Sequence, residues 1–370
     1  MATNKPILLC AGGTAGHLFP AAALAHVLIA RGLAVELATD RRAVHFEFPA
    51  RAVHVIPSAT VRGRDPISLA KTVTMLALGT AKAWAVIGRV KPSVVVGFGG
   101  YPTVPPVLAA TLRSVPTVLH EQNGVMGRAN RFLASRVTAI ATSVRTLAKI
   151  DPGLRGKIVF TGNPVRPPVI AAAATPYPAF GDKLHLLVFG GSQGARVMSE
   201  IVPPAVAKLD ASLRARLAVV QQARPEDADH VRADYARMGV TAEVAPFFTD
   251  LPARMAAAHL IVSRSGASTV AELSTVGRPA ILVPLPHALD NDQLVNAGVL
   301  QDAGGAVRIE QRDFTSERLA AELACLAADP AQLATMAACA KSAGTTDAAE
   351  RLADVVMKVA GPLTLGLAAV

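Results

Sequence analysis

One short device occurs twice in this chain. An apolar run ends in Gly-Gly, then a small hydroxyl residue and a further glycine: ILLCAGGTAG at residues 7–16 and LHLLVFGGSQG at residues 184–194. The offset from Gly12 to Gly190 is 178 residues, about half of a 370-residue chain. A buried parallel strand running into a glycine-rich turn opens an α/β domain, so the repetition predicts two similar α/β domains. Composition agrees: 51% hydrophobic and 17% charged residues make a globular chain with material for two cores, and exclude disorder, collagen and coiled coil.

Between the two devices, Pro164, Pro167, Pro168, Pro176 and Pro178 surround the run 171–174, and this Pro/Ala-rich stretch after GNPVR reads as an interdomain linker. Within each half the pattern is strand, loop, helix, strand. After the first loop, Pro20 suits the opening turn of a helix running to about Arg31, with Gly32 as its stop. LAVELATD supplies the next strand, and further strands are expected at 93–96, 117–119, 139–141 and 157–160. In the second half they are expected at 217–220, 242–244, 259–263 and 279–283. Such alternation means parallel sheets covered by helices, with ligands at the carboxyl ends of the strands. Two such domains side by side make a cleft, the usual place for a substrate.

Charge separates the halves. Residues 1–166 hold 20 Lys+Arg against 6 Asp+Glu, a balance of +14, and residues 167–370 hold 17 against 21, a balance of −4. A basic half suits nucleic acid, an anionic lipid surface or a phosphorylated substrate. Aromatic residues at 4% argue against single-strand nucleic-acid binding, which needs stacking platforms. The uncharged stretches 6–30 and 92–112 are broken by glycine and proline, and neither reads as a membrane span. Cys10, Cys325 and Cys339 are too scattered for a zinc cluster or a disulfide framework.

The loop AGGTAGH has glycines where a chain must turn sharply and bring N–H groups to a phosphate, but lacks both the G-x-G-x-x-G spacing and the P-loop ending. Asp40, ending the second strand, could imitate the ribose-binding acid of a nicotinamide enzyme. His17 follows the loop near a helix start, which disfavours imidazolium, so it serves as a proton acceptor or as a hydrogen-bonding loop residue. In VSRSGASTVAELSTVGRPAILVP, residues 262–284, a helix N-terminus offers free N–H groups to a diphosphate. Thr269 and Glu272 also satisfy T-x-x-E, so Glu272 either caps that helix or accepts hydroxyl protons from a ribose. HEQNGVMGRANRF, residues 120–132, gathers His120, Glu121, Gln122, Asn123 and Asn130 at a strand end, where sugar hydroxyls are read.

Taken together, GGTAGH, VVVGFGGYPTVPP, HEQNGVMGRAN, GNPVR, GGSQGAR, SRSGASTVAEL and PHALDNDQLVNA occur in the order and spacing of one family. From about Ile7 to the final helix the chain closely resembles the MurG family of bacterial transferases, which add GlcNAc from UDP-GlcNAc to undecaprenyl-pyrophosphoryl-MurNAc-pentapeptide. The resemblance implies the GT-B fold, two Rossmann-like parallel-sheet domains facing across a cleft. It implies a lipid-acceptor domain of residues 1–166 plus a C-terminal helix at 342–370, and a UDP-GlcNAc domain of residues 167–341. By matching motif, His17 is implied as the base. Thr14, Ala15 and Gly16 lie by the donor sugar and diphosphate, and Asn123, Arg166 and Ser192 contact the donor. Phe248 presents backbone groups to uracil, Ala267, Ser268, Thr269 and Val270 hold the diphosphate, Glu272 takes the ribose hydroxyls and Gln293 reads GlcNAc. Ala15 stands where the family usually has glycine, and Asp292 where many members have histidine.

The implied reaction is inverting transfer to the C4 hydroxyl of MurNAc, lipid I to lipid II, without metal or other cofactor, in peptidoglycan synthesis. The implied partners are UDP-GlcNAc, the undecaprenyl-linked muropeptide and an anionic membrane surface, not nucleic acid. The implied location is the cytoplasmic face of the cell membrane, held peripherally. Membrane contact is expected from Val73, Leu76, Trp84 and Ile87 at helical spacing, with Lys71, Lys82, Arg89 and Lys91 nearby and Arg62 and Arg64 just before. The alternatives are another GT-B transferase and a nucleotide-binding module without transfer activity, which would have no need of a base.

Overall fold

The computed structural model describes residues 5–43, 46–59, 66–191, 194–286 and 288–361, so Ser192, Arg62 and Arg64 lie outside the described residues. The chain divides into two compact units, residues 1–166 with 346–370 and residues 167–345.

The first unit runs β1 (Ile7–Cys10), α1 (Ala15–Ala30), β2 (Val35–Thr39), β3 (Ala52–Val55), α2 (Pro66–Val90), β4 (Val94–Gly97), α3 (Val104–Leu112), β5 (Thr117–Glu121), α4 (Arg128–Leu133), β6 (Ala139–Thr142) and β7 (Ile158–Phe160). Its seven strands lie in the order β3-β2-β1-β4-β5-β6-β7. β1 pairs in parallel with β2 and β4, Ile7 opposite Val35 and Val94. Because β1 is covered on both faces, it is apolar throughout rather than alternating. Ile7 and Leu9 face one core with Leu24 and Leu28 of α1, while Leu8 and Cys10 face the other with Ala83, Ile87 and Val107.

The second unit runs α5 (Pro167–Ala172), β8 (Leu184–Phe189), α6 (Arg196–Ala207), α7 (Ala211–Arg216), β9 (Leu217–Gln222), α8 (Pro225–Arg237), β10 (Thr241–Ala245), α9 (Leu251–Ala257) and β11 (Leu260–Ser263). It continues through α10 (Ala267–Val276), β12 (Ala280–Leu282), α11 (Asp292–Asp302), β13 (Ala306–Arg308), α12 (Ser316–Ala328) and α13 (Pro330–Ser342). The six strands lie in the order β10-β9-β8-β11-β12-β13, again all parallel. Leu186 and Val188 face a core with Val202 and Leu323, and Leu187 and Phe189 face one with Leu273 and Ala297. The last helix, α14 (Ala348–Ala360), belongs to the first unit, packs on α1 and β4, and adds Leu352, Ala353 and Val356 to the core that holds Ile7 and Leu9.

Several local expectations need correction. α1 starts at Ala15, so Pro20 sits inside the helix rather than in its opening turn. Within the Pro/Ala-rich stretch, where the two units divide after Arg166, residues 167–172 form a short helix, α5, whose Val169 is fully buried; Pro167 and Pro168 open it where no intrahelical N–H is required. The chain returns to the first unit at Thr346 rather than 342, because Gly344 still lies against the backbone of Ser274. The strands β3 and β13 had no sequence signal: both are short edge strands, and β3 is held partly by polar contacts, the Arg51 ion pair and the His54 hydrogen bond each reaching Glu36 of β2 at 2.7 Å.

α2 corrects the apolar stripe. By length and composition, Ala70–Val90 could cross a membrane. Ile87 is buried and Leu76 packs against the same core, whereas Val73 and Trp84 are 58% and 42% exposed, so the four residues do not share one face. The outward face instead carries Val73, Leu78 and Trp84, with Lys71, Lys82 and Arg89 exposed beside them.

Candidate functional site

In the first unit the polar residues gather at the carboxyl ends of β1, β4 and β5, where neighbouring loops diverge. Thr14 is the N-cap of α1 in extended conformation, and its carbonyl accepts from the N–H groups of His17 and Leu18. Thr14 and Gly16 are exposed, and Ala15 and His17 half-buried. His17 is thus the third helical residue, where the positive end of the helix dipole works against an imidazolium. Burial lowers its pKa from the ordinary imidazole value, partly offset by hydrogen bonding to Gln122 and to the Phe98 carbonyl. Arg42 holds Asp40 through Oδ2 at 2.6 Å, while Oδ1 is buried with no partner among the described residues.

β5 extends through His120 and Glu121, two residues farther than expected. Glu121 is buried and organises the loop after it. Its carboxylate accepts from the Asn123 and Gly127 N–H groups at 3.0 and 2.9 Å, and from the Asn130 amide at 2.8 Å. Burial raises its pKa and these donors oppose that rise. Asn123 is half-buried, its Nδ2 also on Glu121 at 3.3 Å. Next to Glu121, a chain of contacts leaves the sheet: His17 Nδ1 to Gln122 Oε1 at 3.3 Å, Gln122 Nε2 to His120 Nδ1 at 3.0 Å, and His120 Nε2 to the Gly162 carbonyl at 3.1 Å. Arg166, in the same unit, lays its guanidinium over the Phe19 ring at 4.3 Å.

The second unit builds a different site on the same framework. Gly190 ends β8 in a turn so tight that a Cβ there would lie 2.3 Å from the Ala195 nitrogen. Gln222, ending β9, accepts from Gly190 N–H and donates to the Pro246 carbonyl, tying the glycine turn to the loop that carries Phe248. Phe248 is buried under Arg254, whose guanidinium lies 4.2 Å from the ring centre.

α10 begins at Ala267 with Gly266 as its N-cap, so Thr269 is the third helical residue. A capping box would need Thr269 at the N-cap, and that reading of Glu272 is therefore excluded. Ala267, Ser268 and Thr269 carry the first-turn N–H groups that lack intrahelical partners, whereas Val270 N–H is taken by the Gly266 carbonyl at 3.0 Å. Ser268 Oγ is buried with no partner among the described residues, and Glu272 is 5% exposed. The loop before α10 is pinned to α11: Ser265 Oγ donates to the Gln293 carbonyl at 2.8 Å, and Asn296 donates to the Ser265 carbonyl at 3.3 Å. The Gln293 side-chain oxygen accepts from Leu285 N–H at 3.0 Å, which fixes the amide's orientation. Asp292 bonds the Gln293 N–H at 2.7 Å.

Sequence reasoning passed over Arg264. Its guanidinium is buried and donates to the carbonyls of Val283 and Pro284 and to the Gln311 amide oxygen, all neutral groups. Gln222 ends β9 and Arg264 directly follows β11, and neither carries a spacing signature. Among the described residues no group of three His, Cys, Asp or Glu side chains is placed to hold a metal ion.

Residues 7–142 match the glycosyltransferase family 28 N-terminal domain, and residues 185–352 the glycosyltransferase family 28 C-terminal domain. The chain is 62% identical over 363 residues to the UDP-N-acetylglucosamine--N-acetylmuramyl-(pentapeptide) pyrophosphoryl-undecaprenol N-acetylglucosamine transferase of Rhodopseudomonas palustris, covering 97% of this chain and 99% of that one. It is 58% identical to the transferase of the same name from Nitrobacter winogradskyi, covering 97% and 99%. Among solved structures, Acinetobacter baumannii MurG superposes with a TM-score of 0.77 at 28% identity, over 96% of this chain and 99% of that one. With the two Rossmann-like parallel-sheet domains of the GT-B fold, the chain belongs to glycosyltransferase family 28.

Proposed function

We propose that this chain transfers N-acetylglucosamine from UDP-GlcNAc to the C4 hydroxyl of the MurNAc sugar in an undecaprenyl-pyrophosphoryl-MurNAc-pentapeptide, a step of peptidoglycan synthesis. The observation that carries the reading is the 62% identity, along almost the whole of both chains, to a relative named for this transfer. The second unit, residues 167–345, is assigned the donor and the first the acceptor. The first turn of α10 offers N–H groups to the diphosphate, and Glu272 accepts from the ribose hydroxyls. Phe248 presents backbone to uracil and Gln293 reads the GlcNAc hydroxyls. Thr14, Ala15, Gly16, Asn123, Arg166 and Ser192 complete the donor contacts.

The chemistry is a single inverting displacement. His17 removes the proton of the C4 hydroxyl, the oxygen attacks C1, and the bond from C1 to the diphosphate breaks through an oxocarbenium-like state, as in inverting glycoside hydrolysis. UDP leaves with the bonding pair, stabilised by helix N-termini and by cationic side chains such as Arg166. The test supplies purified protein with UDP-GlcNAc and the lipid-linked acceptor in detergent. One UDP released for each β-linked disaccharide supports the reading; donor binding with no disaccharide overturns it.

The acceptor's polyprenyl tail stays in the bilayer, since burial of each CH2 contributes ~0.8 kcal/mol, so the enzyme works at the membrane surface. We assign it peripherally to the cytoplasmic face. The contact is the outward face of α2, with Val73, Leu78 and Trp84, extended by Leu112 at the end of α3, which is 61% exposed. Arg113 stacks on Trp84 at 4.3 Å, adding a cation beside Lys71, Lys82 and Arg89. Each basic residue near anionic lipid contributes ~1 kcal/mol, screened by salt, whereas apolar insertion survives salt. Binding to anionic vesicles is expected to weaken in salt and in Lys71→Glu with Lys82→Glu, and to weaken at all salt concentrations in Leu78→Glu. Equal binding by all three proteins removes the assignment.

A further inference from the structure

The contact chain behind His17 determines which of its ring nitrogens carries the hydrogen. The Gly162 carbonyl can only accept, so His120 Nε2 donates to it at 3.1 Å. Burial pushes the His120 pKa down to about 4, so the ring is neutral near pH 7 and its Nδ1 is an acceptor. Gln122 Nε2 donates to that Nδ1 at 3.0 Å and also to the His120 carbonyl at 3.0 Å. The second bond fixes the amide's orientation, because the opposite one would set two carbonyl oxygens against each other. Gln122 therefore presents Oε1 to His17 Nδ1, which must be the donor. The Phe98 carbonyl is the ring's other acceptor; with the hydrogen placed on Nδ1 by Gln122, a neutral His17 has its lone pair on Nε2.

We infer that Gln122 and His120 are positioning residues that lock His17 as the Nδ1–H tautomer, leaving Nε2 as the atom that takes the acceptor hydroxyl's proton. The inference rests on His17 being the base. The Gly99-Gly100 turn gives the ring its space: at Gly100, where φ is +73°, a Cβ would lie 3.1 Å from His17 Nε2. When Nε2 takes the proton, the resulting imidazolium keeps its Nδ1–H on Gln122, a neutral amide. This differs from a carboxylate partner, which would also stabilise the charge. Three titratable groups of the described neighbouring elements are otherwise engaged. His120 is neutral, Glu121 is turned to Asn123, Gly127 and Asn130, and Arg166 lies over Phe19 of α1.

The test is long-range 1H–15N NMR of the full chain labelled at histidine, with His17 assigned by its absence in His17→Ala. The expected spectrum has hydrogen on Nδ1 and none on Nε2; a His17 with hydrogen on Nε2 overturns the proposal whatever the turnover. Gln122→Met keeps the length and removes the amide. It should shift His17 toward the Nε2–H form and lower kcat at least ~10-fold, with the KM for UDP-GlcNAc within ~2-fold. Gln122→Glu keeps an acceptor at Nδ1 and adds charge, so the tautomer should persist and the acid limb of the kcat/KM profile should move to higher pH. An unmoved acid limb in a folded Gln122→Glu, or an unchanged tautomer in Gln122→Met, contradicts the lock. The spectrum does not depend on turnover, so an active His17→Ala would remove the base assignment without touching the tautomer result.

Discussion

In both units a central strand runs into a Gly-Gly turn, with the second strand of its unit on one side and a later strand on the other. The loops and helices beyond the strand ends differ. In the first unit α1 brings a histidine into its opening turn, backed by uncharged amides, imidazole and backbone carbonyls. In the second unit α10 opens on Gly266 with small residues and no acid in its first turn, and a buried glutamate comes one turn later. The first arrangement suits moving a proton; the second suits holding an anion and a diol. Two copies of one framework can therefore divide a transfer between them, because the chemistry sits in the loops at the strand ends rather than in the sheets.

If the division is real, substitutions in the two sites should fail differently. The largest effect is expected from His17→Ala: turnover lower by ~10²–10⁴-fold, the range for loss of a general base, with UDP affinity measured by calorimetry unchanged. Next comes Glu272→Ala, which removes a hydrogen-bonded carboxylate contributing ~1.5–3 kcal/mol and should weaken UDP-GlcNAc binding by roughly 10- to 100-fold. Its melting temperature should stay near that of the parent, since the N-cap of α10 is Gly266. The framework itself can be probed at its tightest turn. Gly190→Ala forces a Cβ into the Ala195 backbone and should cost about 1–3 kcal/mol by denaturant unfolding.

The smallest effect is one of pH. His17 must be neutral to accept a proton, and burial lowers its pKa, so the working form is retained as pH falls through the ordinary imidazole value and is lost only below it. The acid limb of kcat/KM should therefore lie below pH 6.5. A limb well above that value would mean that some other group titrates.

The central strands of both sheets were legible in the sequence because burial on two faces makes them continuous apolar runs, as in ILLC and LLVF. The edge strands were not, since Ala52–Val55 depends on pairing and on the contacts of Arg51 and His54 with Glu36 rather than on composition. T-x-x-E at Thr269 left two readings that only the start of α10 separates. The stripe on α2 could be seen, but which residues face the sheet depends on the helix's rotation, fixed by Ala83 and Ile87 meeting the core. Of the site, the motifs marked the loops. The Gln122 orientation could not be read, because it depends on Gly162, forty residues away in the chain.

The division of labour is tested most directly by single-turnover transfer at saturating UDP-GlcNAc in His17→Ala and Glu272→Ala side by side. High donor concentration should restore Glu272→Ala to near the parent rate and leave His17→Ala slow. A Glu272→Ala that stays as slow as His17→Ala under saturation, or a His17→Ala rescued by donor, would contradict the division.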